Sequence, residues 1–374
     1  MSTLDKRLTV ELAIPAAPGE LTGEWLTQAL RETGTISHAA VESFDSETIG
    51  QGVGLIGELA RVSLRYDRPE AGAPSSLIAK FPASAPENRE VGLHFRFYER
   101  EIRFYEEIAH RVELRTPRRY YSAMDVDADR YVLLLEDLAP NRVGDQLASC
   151  SLEEAELAIR HLAQFQAGWW ESPQLMEIDW MPLVNDPVNT SAEESYQEAW
   201  EPFLERFGDK LHGPMLSLAE RLGNNVARML DGLAHPPRTI IHGDYRLDNL
   251  VFGAPQGQDP LTVIDWQISS RGRGVFDVAY FMSTNLLPER RRASEMELLR
   301  VYHHILSERG ARGYTFEQCL RDYRACTLFC LVYCVISGGT LDLANERGLA
   351  LAIAMLERNL AAIADLDAGE MLPG

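Results

Sequence analysis

The chain holds 374 residues, 45% of them apolar and 25% charged, the balance of a soluble globular protein long enough for two or three domains. Its 36 basic and 56 acidic side chains leave a net charge of -20, which argues against a sequence-independent nucleic-acid binder and against docking on an anionic membrane. The opening MSTLDKRLTV lacks the apolar core of a secretory signal, and the most apolar segment, Ala325 to Ser337, is too short to span a bilayer. A cytoplasmic location is therefore expected.

In chain order, Trp25, Leu26, Ala29 and Leu30 predict an amphipathic helix over Thr22 to Arg31. Strand character follows from about Val41 to Phe81, where Val62, Leu64 and Tyr66 alternate with polar residues and Leu77, Ile78 and Ala79 lead to Lys80. Apolar residues at steps of four and three from Val91 to Val112 predict one long helix over Glu87 to Val112. Tyr131 to Leu135 is a short apolar run that predicts a buried strand entering a connector at Glu136. Beyond it the pattern is helical over Leu152 to Trp170, in stretches from Glu193 to Leu233, and from Ser294 onward. Two strand-like runs interrupt it, Thr239 to Ile241 and Leu261 to Ile264, each ending at an acidic motif. Strands and helices are segregated, so the expected class is α+β, a small antiparallel-sheet lobe followed by a larger, mainly helical lobe. The expected division is 1–137, with its leading helix, and 138–374.

Cys326, Cys330 and Cys334 share one helix face, but Leu, Phe, Val and Tyr surround them. They are read as a core-facing stripe and not as metal ligands.

Four constellations carry chemistry. Gly52, Gly54 and Gly57 match G-x-G-x-x-G, which has three readings: a dinucleotide loop, a glycine flap over nucleotide phosphates, and a ligand-free hairpin. The residues after Gly57 alternate like a strand, which disfavours the nicotinamide-dependent oxidoreductase that the first reading implies. His242-Gly243-Asp244 follows an apolar strand, with Asn249 five residues after Asp244 and Asp265 sixteen residues further on. Phosphoryl transfer to a hydroxyl needs one carboxylate to orient the acceptor and hard oxygen ligands for Mg²⁺. Asp244 suits the first need; Asn249 and Asp265 suit the second. Lys80 sits among apolar residues, where burial requires a carboxylate partner. Glu90, Glu99, Glu101 and Glu106 all lie on the helix that follows, and periodicity does not choose among them.

With these residues in view, the chain resembles the aminoglycoside phosphotransferase and choline kinase superfamily, and within it the ecdysteroid-kinase-like branch and related bacterial phosphotransferases. The resemblance rests on IGQGVGLIGELARV from Ile49, EIRFYEE from Glu101, LEDL from Leu135, HGDYRLDNLVF from His242 and IDWQ from Ile264. It implies a bilobal protein-kinase-like fold and a kinase using ATP and Mg²⁺. It implies that the loop of Gly50, Gly52 and Gly54 covers the phosphates, that Lys80 contacts them with Glu101 as its ion-pair partner, and that the backbone of Glu136 to Leu138 holds adenine. Asp244 becomes the catalytic base, Asn249 and Asp265 the Mg²⁺ ligands, and Arg246 a group that stabilises transition-state charge. Asp277 becomes a brace for the catalytic loop. Two positions depart from the pattern: Gly57 where many relatives carry Ser or Thr, and Gln166 where many carry His.

The acceptor is a small-molecule hydroxyl of unresolved type: an aminoglycoside, choline, a sterol-like alcohol or a hydroxyacyl thioester. The last is raised by a resemblance to phosphotransferase domains fused to acyl-CoA dehydrogenases. Trp169, Trp170, Trp180, Tyr196 and Trp200 are concentrated in the helical part, and core packing is the preferred reading for most of them. A nucleotide-binding regulator without catalysis is the alternative from another class. Oligomeric state is not legible.

Overall fold

The computed structural model describes residues 12–50, 56–254, 260–340 and 346–373. The chain folds into two compact units, Met1–Ile102 with Pro117–Asp137, and Arg103–Thr116 with Leu138–Gly374. Gly52 and Gly54 lie outside the described residues. No helix among the described residues is long and apolar enough to cross a membrane.

The first unit opens with α1 (Gly23–Glu32), whose start is fixed by the Thr22 side chain accepting a hydrogen bond from the Trp25 amide. A five-stranded antiparallel sheet follows, in the order β1-β2-β3-β5-β4: β1 (Val41–Ile49), β2 (Gly57–Tyr66), β3 (Ser76–Pro82), β4 (Arg119–Asp125) and β5 (Arg130–Glu136). Leu26 and Leu30 of α1 pack with Val62, Leu77, Ala79, Val132 and Leu134 of the sheet in one apolar core. The segment after the glycines is thus a strand paired on both edges, not the helix that a dinucleotide-binding fold places there.

The long helix expected over Glu87 to Val112 is broken. It forms α2 (Pro86–His94) and α3 (Phe97–Arg103), then a wide π turn and a tight final turn. The break falls at Arg96, whose φ of 56° is left-handed. It lets Tyr98 reach the sheet, where its hydroxyl donates to the Ile56 carbonyl and accepts from the Ala83 amide. Apolar spacing runs on across the break, so periodicity alone does not reveal it.

The second unit is mainly helical. A short β6 (Arg142–Val143) precedes α4 (Leu152–Trp169), which begins in a capping box between Ser151 and Glu154. Two short helices, α5 (Pro173–Glu177) and α6 (Pro187–Thr190), lead to α7 (Ala192–Phe207), α8 (Pro214–Gly223) and α9 (Val226–Leu233). Four three-residue strands come next: β7 (Thr239–Ile241), β8 (Leu250–Phe252), β9 (Leu261–Val263) and β10 (Ser270–Gly272). β7 pairs with β10, and β8 lies between β6 and β9. The chain then forms α10 (Val275–Asn285), α11 (Pro288–Glu308), α12 (Phe316–Thr340) and α13 (Glu346–Asp365). Every residue of α10 is buried, so its outline carries no amphipathic stripe and sequence periodicity passes over it. Cys326, Cys330 and Cys334 are buried on α12, as the core-stripe reading expects.

Candidate active site

The site residues of the second unit sit on the loop between β7 and β8 and on the turn after β9. At the head of that loop, Gly243 has a φ of 84°, and a Cβ there would lie 2.8 Å from the Ile268 carbonyl oxygen. Only glycine fits both conditions. His242 is fully buried, and both ring nitrogens are engaged: Nε2 lies 2.9 Å from the Ile264 carbonyl, and Nδ1 lies 3.2 Å from the Asp244 amide nitrogen. A carbonyl requires a donor and an amide N–H requires an acceptor, so the ring is the neutral tautomer protonated at Nε2. Burial pushes the His242 pKa down, in keeping with that state. The imidazole thereby joins the Asp244 backbone to the residue just before Asp265.

A second tie comes from α10. The Asp277 carboxylate accepts from the His242 amide at 2.8 Å, the Gly243 amide at 2.9 Å and the Gln166 side-chain amide at 2.9 Å. Asn285, two turns further along, accepts from the Leu247 amide at 2.8 Å. Asp277 and Asn285 hold the loop from behind, and Gln166 braces Asp277. Desolvation nevertheless dominates at Asp277, whose pKa is pushed up to about 7. The periodicity of α4 gave no hint of the Gln166 contact, since only the partner's position turns a buried amide into a loop brace.

On the loop itself, Asp244 is lightly exposed. Its Oδ2 accepts from Arg246 Nε at 3.0 Å and from Asn249 Nδ2 at 2.9 Å. The same Asn249 nitrogen also donates to the Asp244 carbonyl at 2.9 Å, which leaves the amide oxygen as the other polar end of that side chain. Arg246 is half-buried and also donates to Asp248 Oδ2 at 2.9 Å and, more weakly, to Gln146 Oε1 at 3.4 Å. Burial alone would lower the Arg246 pKa, but Asp244, Tyr280 and Asp248 raise it overall, so the guanidinium is permanently charged. Asp248 is held in turn by the Gln146 amide at 2.9 Å, and Arg358 of α13 donates to the Gln146 and Leu147 carbonyls. Gln146, Asp248 and Arg358 carry no motif, and sequence reasoning missed them.

Asp265 follows β9 with a φ of 65°, a left-handed conformation that costs a non-glycine residue free energy and concentrates at functional sites. The Ile264 amide donates to the Asn249 carbonyl at 3.0 Å, and Leu250 pairs with Val263. Asn249 and Asp265 therefore flank the same end of the β8-β9 ribbon. Two neutral or anionic oxygen donors at one ribbon end suit Mg²⁺, which keeps several waters and completes its shell with substrate phosphates. The described residues hold no cluster of three His, Cys, Asp or Glu that could hold a metal ion.

In the first unit, Lys80 Nζ lies 2.6 Å from Glu101 Oε2, with 12% and 4% of the two side chains exposed. Glu99 pairs with Arg96 instead, at 2.8 Å, so the structure selects among the acidic residues that the sequence left open. A Cβ at Gly57 would lie 3.2 Å from the Phe81 carbonyl oxygen and 3.3 Å from Lys80 Cε, so glycine here makes room for the lysine stem. Gly50 closes β1 with a φ of 70°. At the end of β5, the Glu136 amide donates to the Arg118 carbonyl at 2.9 Å, and Glu136 Oε2 accepts from the Arg118 amide. Leu138, the first residue of its unit segment, accepts from the Asn141 amide at 2.9 Å.

Among the aromatic residues proposed for the helical part, Trp169, Trp180 and Tyr196 are buried, while Trp170 and Trp200 are half-buried. Trp180 donates to Glu107 at 2.8 Å and Tyr196 to the Ala219 carbonyl at 2.9 Å. Core packing accounts for these three.

Known proteins share this architecture. The chain aligns with a choline kinase from Cryptosporidium parvum Iowa II over 88% of its own length and 92% of that chain, at 11% identity and a TM-score of 0.54. It aligns with the GDP complex of wild-type aminoglycoside 2'-phosphotransferase-IIIa over 90% and 98% of the two chains, at 16% identity and a TM-score of 0.51. At such identities the likeness establishes the protein-kinase-like fold. In sequence, a stretch of 58 residues is 45% identical to acyl-CoA dehydrogenase family member 10 of Mus musculus, covering 14% of this chain and 5% of that protein. The curated relatives are thus far longer than the part matched here. The profile of the ecdysteroid kinase-like family matches residues 51–312, which span the Lys80–Glu101 pair, the Asp244 loop and Asp265, and the chain belongs to that family.

Proposed function

We propose that the protein transfers the γ-phosphoryl group of ATP to the hydroxyl of a small molecule, with Mg²⁺. The observation that carries this reading is the asymmetric state of the Asp244 carboxylate. Oδ2 is occupied by Arg246 and Asn249, whereas Oδ1 accepts no hydrogen bond from the described residues. A carboxylate pinned at one oxygen and open at the other suits a general base that receives a proton from an acceptor alcohol.

In this mechanism the alcohol oxygen forms its bond to the γ-phosphorus as the bond to the ADP oxygen breaks. The leaving electron pair stays with ADP, and the alcohol proton passes to Asp244 Oδ1. Arg246 lies beside the same carboxylate and supplies positive charge as the phosphoryl group moves. Bound Mg²⁺ would neutralise charge on the phosphates, with Asn249 and Asp265 as its protein ligands. Lys80, held by Glu101, would contact the phosphates, Gly50, Gly52 and Gly54 would lie over them, and the backbone around Glu136 and Leu138 would take the base. On this reading residues 1–137 bind nucleotide and 138–374 carry catalysis and the acceptor.

The experiment is phosphate transfer from labelled ATP across a panel of choline, kanamycin, an ecdysteroid and a 3-hydroxyacyl thioester. A phosphorylated alcohol supports the reading. MgATP binding with no product and no hydrolysis would favour a nucleotide-binding regulator instead.

A further inference from the structure

The helical unit contains many buried tyrosines, and five of them donate from the hydroxyl to a named partner. Tyr196, Tyr245, Tyr302, Tyr314 and Tyr323 donate to Ala219, Ala158, Gln166, Asp322 and Glu295 respectively, at 2.6 to 3.0 Å. This is the ordinary behaviour of a buried phenol. Tyr280 differs. Only 4% of it is exposed, yet its hydroxyl makes no hydrogen bond to the described residues and is not among their fully enclosed unsatisfied polar atoms.

Its place on α10 explains what it faces. Asp277, Tyr280 and Thr284 are spaced three and four apart and share one helix face. Asp277 holds His242 and Gly243, and the Thr284 side chain and carbonyl accept from Gln146, whose Oε1 touches Arg246. Tyr280 lies between these two anchors, alongside the loop that carries Asp244 and Arg246. Its ring is 5.4 Å from that of Tyr333 on α12, the more exposed of the two, and 6.3 Å from the stacked Phe276. Phe329 closes the group at 6.0 Å from Phe276. Tyr280 therefore joins an aromatic cluster with Phe276, Phe329 and Tyr333 and brings one unused hydroxyl to the helix face that anchors the loop.

We infer that the Tyr280 hydroxyl donates a hydrogen bond to the acceptor alcohol and sets its oxygen against Asp244, with the Tyr333 ring lying over an uncharged ring or apolar framework. The inference rests on the phosphotransferase reading above and names a binding residue for its acceptor. Burial, then Asp244, raises the Tyr280 pKa well above the usual phenol value, so the group stays a neutral donor throughout the reaction. Phosphoryl transfer balances as before: the proton goes to Asp244, and Tyr280 keeps its own. The nearby carboxylates Asp145 and Asp248 already pair with Arg347 and Arg246, so they do not call for a polycationic acceptor.

The test uses the full chain, MgATP and benzyl alcohol as the probe, with ³¹P NMR reading benzyl phosphate against inorganic phosphate. The ratio of the two products is insensitive to the fraction of protein folded. In Tyr280→Phe the ratio should fall about tenfold or more, the effect of losing one donor from a dry site. Tyr333→Leu, which removes the facing ring from a less buried position, should lower it as well. An unchanged ratio in Tyr280→Phe overturns the inference. So does a wild-type protein that releases phosphate from ATP yet makes no benzyl phosphate up to the solubility limit of the alcohol. Absence of any ATP turnover would instead bring down the phosphotransferase reading itself.

Discussion

The side-chain amide of Gln166 donates to Asp277 at 2.9 Å, and through that carboxylate it steadies the backbone of His242 and Gly243. The amide oxygen accepts from Tyr302 at 2.6 Å, so both ends of Gln166 are committed. Replacing it with Leu keeps the bulk, leaves the buried Tyr302 hydroxyl without its acceptor and takes one of three donors from Asp277. Gln166→Leu is predicted to cost about 1–3 kcal/mol of stability, read from the urea midpoint at constant m-value.

The Lys80–Glu101 pair yields a prediction in two parts. Removing the ammonium in Lys80→Ala takes the counter-charge from a carboxylate with only 4% of its side chain exposed and should destabilise by about 3–5 kcal/mol. The double variant Lys80→Met, Glu101→Gln should regain most of that stability, because neither charge is then buried. On our reading it should not regain nucleotide affinity. Denaturation midpoints and a nucleotide titration separate the two effects.

Asp277 gives a pH dependence with a definite sign. Its pKa rises on folding from the ordinary carboxylate range to about 7, chiefly through desolvation, with Asp244 adding to the rise. The folded protein thus binds the proton more tightly, and this contribution to stability is full below about pH 4 and is lost as pH climbs through about 7. His242, whose pKa is lowered by burial from the ordinary 6.5, works in the opposite direction, its contribution being lost as pH falls below that value. Comparing wild type with Asp277→Asn isolates the aspartate. The stability of wild type relative to the variant is predicted to fall between pH 5 and about pH 7.5, as measured by denaturant midpoints in matched buffers. A difference that rises with pH would reverse the assignment.

How much of this was legible beforehand differs from element to element. The segregated α+β layout and the acidic motifs at strand ends can be read directly, because a strand that ends in Asp carries its signal in adjacent residues. Lys80 in an apolar strand demands a carboxylate, but helical spacing offers four, and only the family resemblance selects Glu101. The break at Arg96 is invisible because apolar spacing continues through it. α10 is invisible for another reason: a helix buried on all sides has no polar face to set its period. Gln146, Asp248 and Arg358 escape notice because their function is to hold one another, and long-range hydrogen bonds leave no local pattern. Gly57 and Gln166, both read as departures from the family's usual residues, have structural explanations in the Lys80 stem and the Asp277 carboxylate.

The central claim is that Asp244 takes the acceptor proton. Asp244→Asn keeps the size of the side chain and removes the base. The decisive measurement is the rate of phosphate transfer by this variant, paired with its nucleotide affinity. We predict a loss of about a hundredfold or more in kcat with a nucleotide Kd within a few-fold of wild type. Transfer at the wild-type rate would contradict the account.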